Sequence, residues 1–316
     1  PLANFSPTLS TPYTQLVSAH NYNPSIVNYF SNAVAIHPYV GNFYSRPKVY
    51  EKFGFNDFIY LGSKTEIKHQ YLSDKVAYAN TLDVINEHKG NGQFINLVTM
   101  QNHMPYNKDY YSDNTDFAVE KAVELDDEIR EQINNFATGI HYTDGYVADF
   151  IEQLEAIDKP ITLVFYGDHL PGIYANDMAK DGLNLHETDY FIYSNKVARE
   201  QGAKTDLVKS RYISPNDFPA MVSEATNSEI SPYYALLTSV YQNLPAFYIG
   251  NESNSTSVRN VEYVTEAEKL VSEQNLTEEQ KEILNDLRVI QYDITAGKNY
   301  VKDTDFMKIQ SSYGDE

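Results

Sequence analysis

The sequence predicts an α/β fold, a largely parallel central sheet flanked by helices, with a small helical extension at the C-terminal end. Three observations predict it. Short apolar, β-rich runs occur at Ala33–Ile36, Phe94–Met100 and Ile161–Tyr166, with a fourth at Tyr190–Tyr193. Near-continuous runs of this length fit strands covered on both faces. Helical patterns lie between them, and an alternating order of helix and strand favours parallel pairing.

Each element has its own signal. Asn23-Pro24 offers a cap and a first-turn proline ahead of Ile26, Val27, Tyr29 and Phe30. Arg46-Pro47 opens a short helix that Gly54 closes. Ser73 caps a helix over Val76 to His88, which Gly90 stops. A long acidic, amphipathic stretch covers Phe117 to Ile157, with Gly139 and Gly145 as candidate interruptions. The Asn/Ser-rich segment Asn251–Val258 reads as a linker. It divides residues 1–250 from a tail, 251–316, of one or two helices and an irregular end. In that tail Thr277-Glu278-Glu279-Gln280 forms a capping-box pattern before Ile283, Leu284 and Leu287.

Composition removes several classes of function. The 316 residues carry 24 Lys+Arg against 44 Asp+Glu, a net charge of −20. Nucleic acid and an anionic membrane surface are poor main partners for such a chain, since both need clustered cations. There is no Cys, which excludes disulfide scaffolds, thiolate catalysis and zinc ribbons. No stretch of about 18 apolar residues occurs. The 27 Tyr and 15 Phe, beside no Trp, serve either core packing or a surface for a sugar or polyol.

Chemistry concentrates where the apolar runs end. The first runs into His37, the second into Asn102-His103, the third into Gly167-Asp168-His169. In parallel α/β sheets ligands sit beyond the carboxyl ends of the strands, so these residues are candidates for one site. A carboxylate beside an imidazole suits Mn²⁺, Zn²⁺ or Mg²⁺, the alternative being a simple capped turn. Asn102 and His103 are candidate donors to phosphate or sulfate oxygens. Arg46 is a planar, permanently charged fork suited to an oxyanion, or else to a surface ion pair.

Three strings, in order, carry a family resemblance: HPYVGNFYSRPKVYEKFGFNDF, TMQNHMPY and FYGDHLPG. Together they resemble the extracellular domain of lipoteichoic acid synthase-like proteins of the sulfatase/alkaline phosphatase superfamily, over about residues 1–247. The resemblance implies a metal-dependent phosphoglycerol transferase of the bacterial cell envelope, on the extracellular face of the membrane of a Gram-positive organism. It implies one divalent cation, most often Mn²⁺, with Asp168 and His169 as ligands. His37, Tyr44, Arg46 and His103 match the residues that hold glycerol phosphate, with Tyr44 where the family more often has Trp. The implied partners are a phosphatidylglycerol-type headgroup and a glycerol-phosphate or glycolipid acceptor, with membrane attachment through N-terminal helices and no nucleic acid.

The same resemblance implies a further Glu ligand and a nucleophilic Thr upstream of Pro1. Thr8, Thr11 and Thr14 fall downstream of the expected position, so this chain alone is expected to be inactive. The implied reaction is attack of the Thr hydroxyl on the headgroup phosphorus, departure of diacylglycerol, and transfer of glycerol phosphate from Thr to an acceptor hydroxyl. Two other readings stay open: a hydrolase or other phospho- or sulfo-group transferase of the superfamily, and a non-catalytic binding domain.

Overall fold

The computed structural model describes residues 2–3, 17, 23–61, 67–68, 71–90, 92–107, 111, 125–204, 210–249 and 261–309. The chain divides into two compact units, one of residues 29–157 with 168–188 and the other of residues 1–28, 158–167 and 189–316. This division differs from a boundary at 250/251. The linker at 251–258 and Thr8, Thr11 and Thr14 lie outside the described residues.

The first unit is built on a three-stranded parallel sheet. Strand β1 (Asn32–His37) lies between β2 (Asp57–Tyr60) and the later β5 (Gln93–Leu97). The register pairs His37 with Tyr60 and Ile36 with Leu97. Five of the six β1 residues are buried, which is why its run shows no alternation. Between β2 and β5 come a small hairpin, β3 (Ile67–Lys68) with β4 (Tyr71–Leu72), and a helix.

The caps expected at Gly54 and Ser73 are present. Helix α1 (Arg46–Phe53) has Pro47 in its first turn and ends on Gly54 at φ 92°, a left-handed conformation that glycine adopts without strain. Helix α2 (Asp74–Glu87) starts with the Ser73 hydroxyl accepting from the Val76 N–H at 3.4 Å. Helix α3 (Asp127–Glu155) runs unbroken through Gly139 and Gly145, so neither glycine interrupts it. The stretch before Ile26 yields a 3₁₀ turn, Ile26–Tyr29, rather than a longer helix. Beyond α3 the unit adds a short helix, α4 (Met178–Asp181).

In the second unit β6 (Thr162–Tyr166) pairs with β7 (Tyr190–Ser194), and the pairing is antiparallel. Phe165 stacks on Phe191 at 5.1 Å, and the Thr162 and Ser194 hydroxyls are 2.9 Å apart. This departs from the parallel pairing expected of these two runs, because an apolar run shows that a strand is covered but not the direction of its neighbour. Four helices follow: α5 (Lys196–Glu200), α6 (Phe218–Ala225), α7 (Pro232–Asn243) and finally α8 (Glu278–Thr295). Phe218 packs on Tyr166 and Tyr190. Before α8 comes an antiparallel sheet in which β9 (Val261–Val264) lies between β8 (Ala246–Ile249) and β10 (Leu270–Ser272). The tail thus carries its expected helix, with the Thr277/Gln280 capping box formed, and also two strands that the sequence did not announce.

Candidate functional site

His37, Tyr44, Arg46, His103, Asp168 and His169 all fall in the first unit. The parallel register accounts for the first group. His37 ends the central strand, and β5 continues past Ile36 with the Val98 N–H bonded to the Ile36 carbonyl at 3.0 Å. The chain then turns at Gln101-Asn102 into His103.

His37 is fully buried, and both its ring nitrogens are engaged. Nδ1 lies 2.9 Å from the Val98 carbonyl and Nε2 lies 3.1 Å from Arg46 Nη1. A carbonyl only accepts and a guanidinium only donates, so the ring is neutral, with its proton on Nδ1. Burial lowers its pKa to about 4, and the Arg46 charge acts in the same direction. His37 therefore holds Arg46 in this structure. The histidine itself has no exposed surface.

Arg46 is held on two further sides. It bonds the Tyr50 hydroxyl, which Asn96 also approaches at 3.4 Å. Its Cζ lies 5.5 Å from the centroid of the Tyr44 ring, within cation–π range. Tyr44 is 73% exposed, and both it and Ser45 have φ 54°. Left-handed backbone at two successive non-glycine residues costs energy and is a mark of functional sites. Here it turns the chain from the Phe43 ring, in contact with Tyr44 at 4.4 Å, directly into α1.

The Asn102-His103 turn is bound to helix α3. Asn102 Nδ2 donates to the Thr143 hydroxyl at 2.8 Å, so this side chain faces inward and not toward a ligand, contrary to the expectation. The Tyr106 hydroxyl donates to the Asn102 carbonyl at 2.7 Å, and Asn135 Nδ2 donates to the Asn107 carbonyl at 2.8 Å. Asn135, Gly139 and Thr143 are four residues apart and form one stripe on α3. Gly139 is required in that stripe, since a Cβ there would collide with Asn102 Oδ1 and the Tyr111 hydroxyl. His103 Nδ1 donates to the Met104 carbonyl at 2.6 Å, which places a ring proton on that nitrogen. The Met104–Pro105 peptide is cis.

Asp168 and His169 are positioned differently. Their side chains are 77% and 71% exposed, and Asp168 Oδ2 lies 3.7 Å from His169 Nε2. Asp168 Oδ1 accepts from the His169 N–H, and His169 Nδ1 donates to the Leu170 carbonyl, both at 2.9 Å. Gly172, four residues on, packs beside Met104, whose Cε would lie 3.5 Å from an added Cβ.

This pair fits a divalent cation. A carbonyl bond at Nδ1 fixes the tautomer whose Nε2 lone pair faces outward, the usual arrangement of a metal-ligating histidine. A carboxylate oxygen and an imidazole suit Mn²⁺, Zn²⁺ or Mg²⁺. Among the described residues no group of three or more His, Cys, Asp and Glu converges.

The residues that sequence reasoning missed are those behind the site: Tyr50, Asp74, Gln101 and Thr143. Only Gly139, a glycine inside a strong helical pattern, signalled a close approach there.

Comparison with known proteins gives the family and the fold. The Sulfatase family model matches residues 1–228. The structure of the phosphoglycerol transferase GacH of Streptococcus pyogenes, in complex with sn-glycerol-1-phosphate, superposes with a TM-score of 0.73. It is 30% identical to this chain and covers 97% of it, the match spanning 73% of the GacH chain. The lipoteichoic acid synthase LtaP of Listeria monocytogenes superposes with a TM-score of 0.53 at 14% identity, over 95% of this chain and 78% of its own. A curated protein of Rhizobium meliloti (strain 1021), assigned to cyclic β-1,2-glucan modification, is 24% identical over 94% of this chain. The chain spans about half, 46%, of that relative's length. The family model and the GacH match together establish that the chain belongs to the Sulfatase family, with the fold of the phosphoglycerol transferase GacH.

Proposed function

We propose that the protein is a metal-dependent phosphoglycerol transferase of the bacterial cell envelope, moving glycerol phosphate from a phosphatidylglycerol headgroup to an acceptor hydroxyl. The observation that carries this reading is the Arg46 guanidinium, held by a neutral His37 and by Tyr50, beside the exposed Tyr44 ring. The 30% identity to a transferase crystallised with sn-glycerol-1-phosphate supports it.

In this reading Arg46 donates to the phosphoryl oxygens as a fixed fork and needs no reorganisation when charge develops on them. Tyr44 covers the glycerol carbons with its ring. His103 turns Nε2 toward the phosphoryl group, protonated when it donates. Asp168 and His169 hold the divalent cation, which when bound supplies Lewis acidity at phosphorus and activates a hydroxyl nucleophile. That hydroxyl, a Thr, attacks the headgroup phosphorus, diacylglycerol leaves, and a glycerophosphoryl-Thr intermediate forms. An acceptor hydroxyl then takes glycerol phosphate and regenerates the Thr. The Rhizobium relative favours a glycan hydroxyl as acceptor. The reaction belongs on the extracellular face of the cell membrane of a Gram-positive organism, and among the described residues no helix is long and apolar enough to cross a membrane.

The test uses the intact protein with fluorescent phosphatidylglycerol and each of Mn²⁺, Mg²⁺ and Zn²⁺. Cation-dependent release of diacylglycerol, with the headgroup appearing on an added glycan, is the expected result. Release to water alone identifies a hydrolase, and no release with any cation refutes the reading.

A further inference from the structure

Asp74 is a carboxylic acid only 1% exposed, and the reaction proposed above makes no use of it. It is the first residue of α2, where a helix N-terminus favours negative charge, but a first-turn acid serves that purpose equally well in solvent. Burial makes this one costly, so its partners matter.

Those partners form a directed chain that ends at the His103 turn. Thr143 Oγ1 donates to Asp74 Oδ2 at 2.7 Å. The hydroxyl has one proton, so once it is spent on Asp74 the oxygen only accepts. It accepts from Asn102 Nδ2 at 2.8 Å. Asn102 must then present its NH₂ end to Thr143, with Oδ1 buried against Gly139 one turn away on the same helix. On the other flank the Asp74 N–H donates to Gln101 Oε1 at 2.9 Å. The two residues immediately before His103 are thus both bound to Asp74, one directly and one through Thr143.

We propose that Asp74 is a positioning residue of the phosphoryl site: through the Thr143 hydroxyl it fixes the orientation of Asn102 and so the turn that presents His103. The proposal deepens the transferase reading and rests on its role for His103. Burial raises the Asp74 pKa, opposed by the Thr143 hydroxyl, the Gln101 N–H and the Thr99 hydroxyl, so asparagine, an uncharged acceptor of similar shape, is its conservative replacement.

The test compares Thr143→Val, Thr143→Ser and Asp74→Asn with the parent. Three quantities are read: the ¹⁵N signals of the His103 ring without substrate, kcat and KM for headgroup release by the intact protein, and the thermal melt. Thr143→Val is expected to keep its fold, to lose the single Nδ1–H tautomer of His103, and to drop kcat by about 10- to 100-fold with KM within about twofold, the behaviour of a misplaced catalytic group. Thr143→Ser and Asp74→Asn, which keep the hydroxyl and the acceptor, are expected to retain the parent tautomer and kcat. A folded Thr143→Val with the parent's His103 signals and kcat overturns the proposal. So does a Thr143→Ser as damaged as Thr143→Val, since the methyl and not the hydroxyl would then matter. Should Thr143→Val fail to fold, Asn102→Ala removes the other end of the relay and carries the same expectations. A parent protein that releases no headgroup refutes the transferase reading, and the ring signals then decide the relay alone.

Discussion

Two loops of the first unit carry the candidate chemistry, and they are built in opposite ways. In the loop from Val98 to Asn107 the two side chains just before His103 are anchored inside the protein, Gln101 at the start of α2 and Asn102 on α3. Arg46, close by, is bound to a buried histidine. In the loop from Asp168 to Leu170 the side-chain hydrogen bonds among the described residues reach no further than the next residue, and the Asp168 and His169 side chains are more than two-thirds exposed. Packed interiors hold one arrangement, whereas exposed local bonds hold several. The side around Arg46 and His103 is thus fixed by the packed interior, and the side around Asp168 and His169 is held only by local bonds.

The largest expected effect tests the exposed loop. Asp168→Ala should lower turnover of the intact protein by about 10³-fold, since a metal ion contributes several kcal/mol at the transition state. Its melt should stay within about 0.5 kcal/mol of the parent, as for surface substitutions generally. A large drop in melting temperature would mean that this loop is built like the other. Arg46→Lys comes next, with a loss of about 10²-fold, because an ammonium does not reproduce a fork shared among His37, Tyr50 and a phosphoryl group. Kinetics with phosphatidylglycerol, beside a melt of the same variant, checks it.

Acid tests the anchored side. Below pH 6.5 the unfolded His37 takes up a proton that the folded one refuses until about pH 4. Stability therefore falls as pH drops through that window, by roughly 3 kcal/mol from this residue at the lower end. Denaturant titrations of the parent and of His37→Gln at pH 7 and pH 4 isolate the contribution, and a parent with no steeper pH dependence than the variant contradicts the neutral, buried assignment. The smallest pair of effects sharpens the contrast within one helix. Gly139→Ala should destabilise by about 1–3 kcal/mol through overpacking against Asn102. Gly145→Ala, which meets nothing within 4 Å, should stabilise by about 1 kcal/mol from helix propensity. Thermal melts read both.

What the sequence made legible was local. Pro47 and Gly54, Ser73, and the Thr277/Gln280 box act within a few residues of themselves, so the helices they bound were readable. The strand ends were readable because the buried runs stop abruptly at polar residues. What stayed hidden depends on partners far away in the chain. His37 looked like a ligand because its acceptor, Val98, is 61 residues on. Gly139 looked like a break because the side chain it accommodates belongs to residue 102. β9 and β10 are four and three residues long and mix charged with apolar positions, too little for a pattern.

The stripe on α3 has a consequence for how the chain tolerates change in length. Asn135, Gly139 and Thr143 meet the loop at one helical spacing, like three pegs on a rail. Each residue turns a helix by about 100°. Inserting or deleting one residue between 135 and 143 would swing one end of the stripe a quarter of a turn away from the loop and break the register of every contact beyond it. This stretch of helix should therefore accept substitutions at its exposed positions freely and length changes hardly at all.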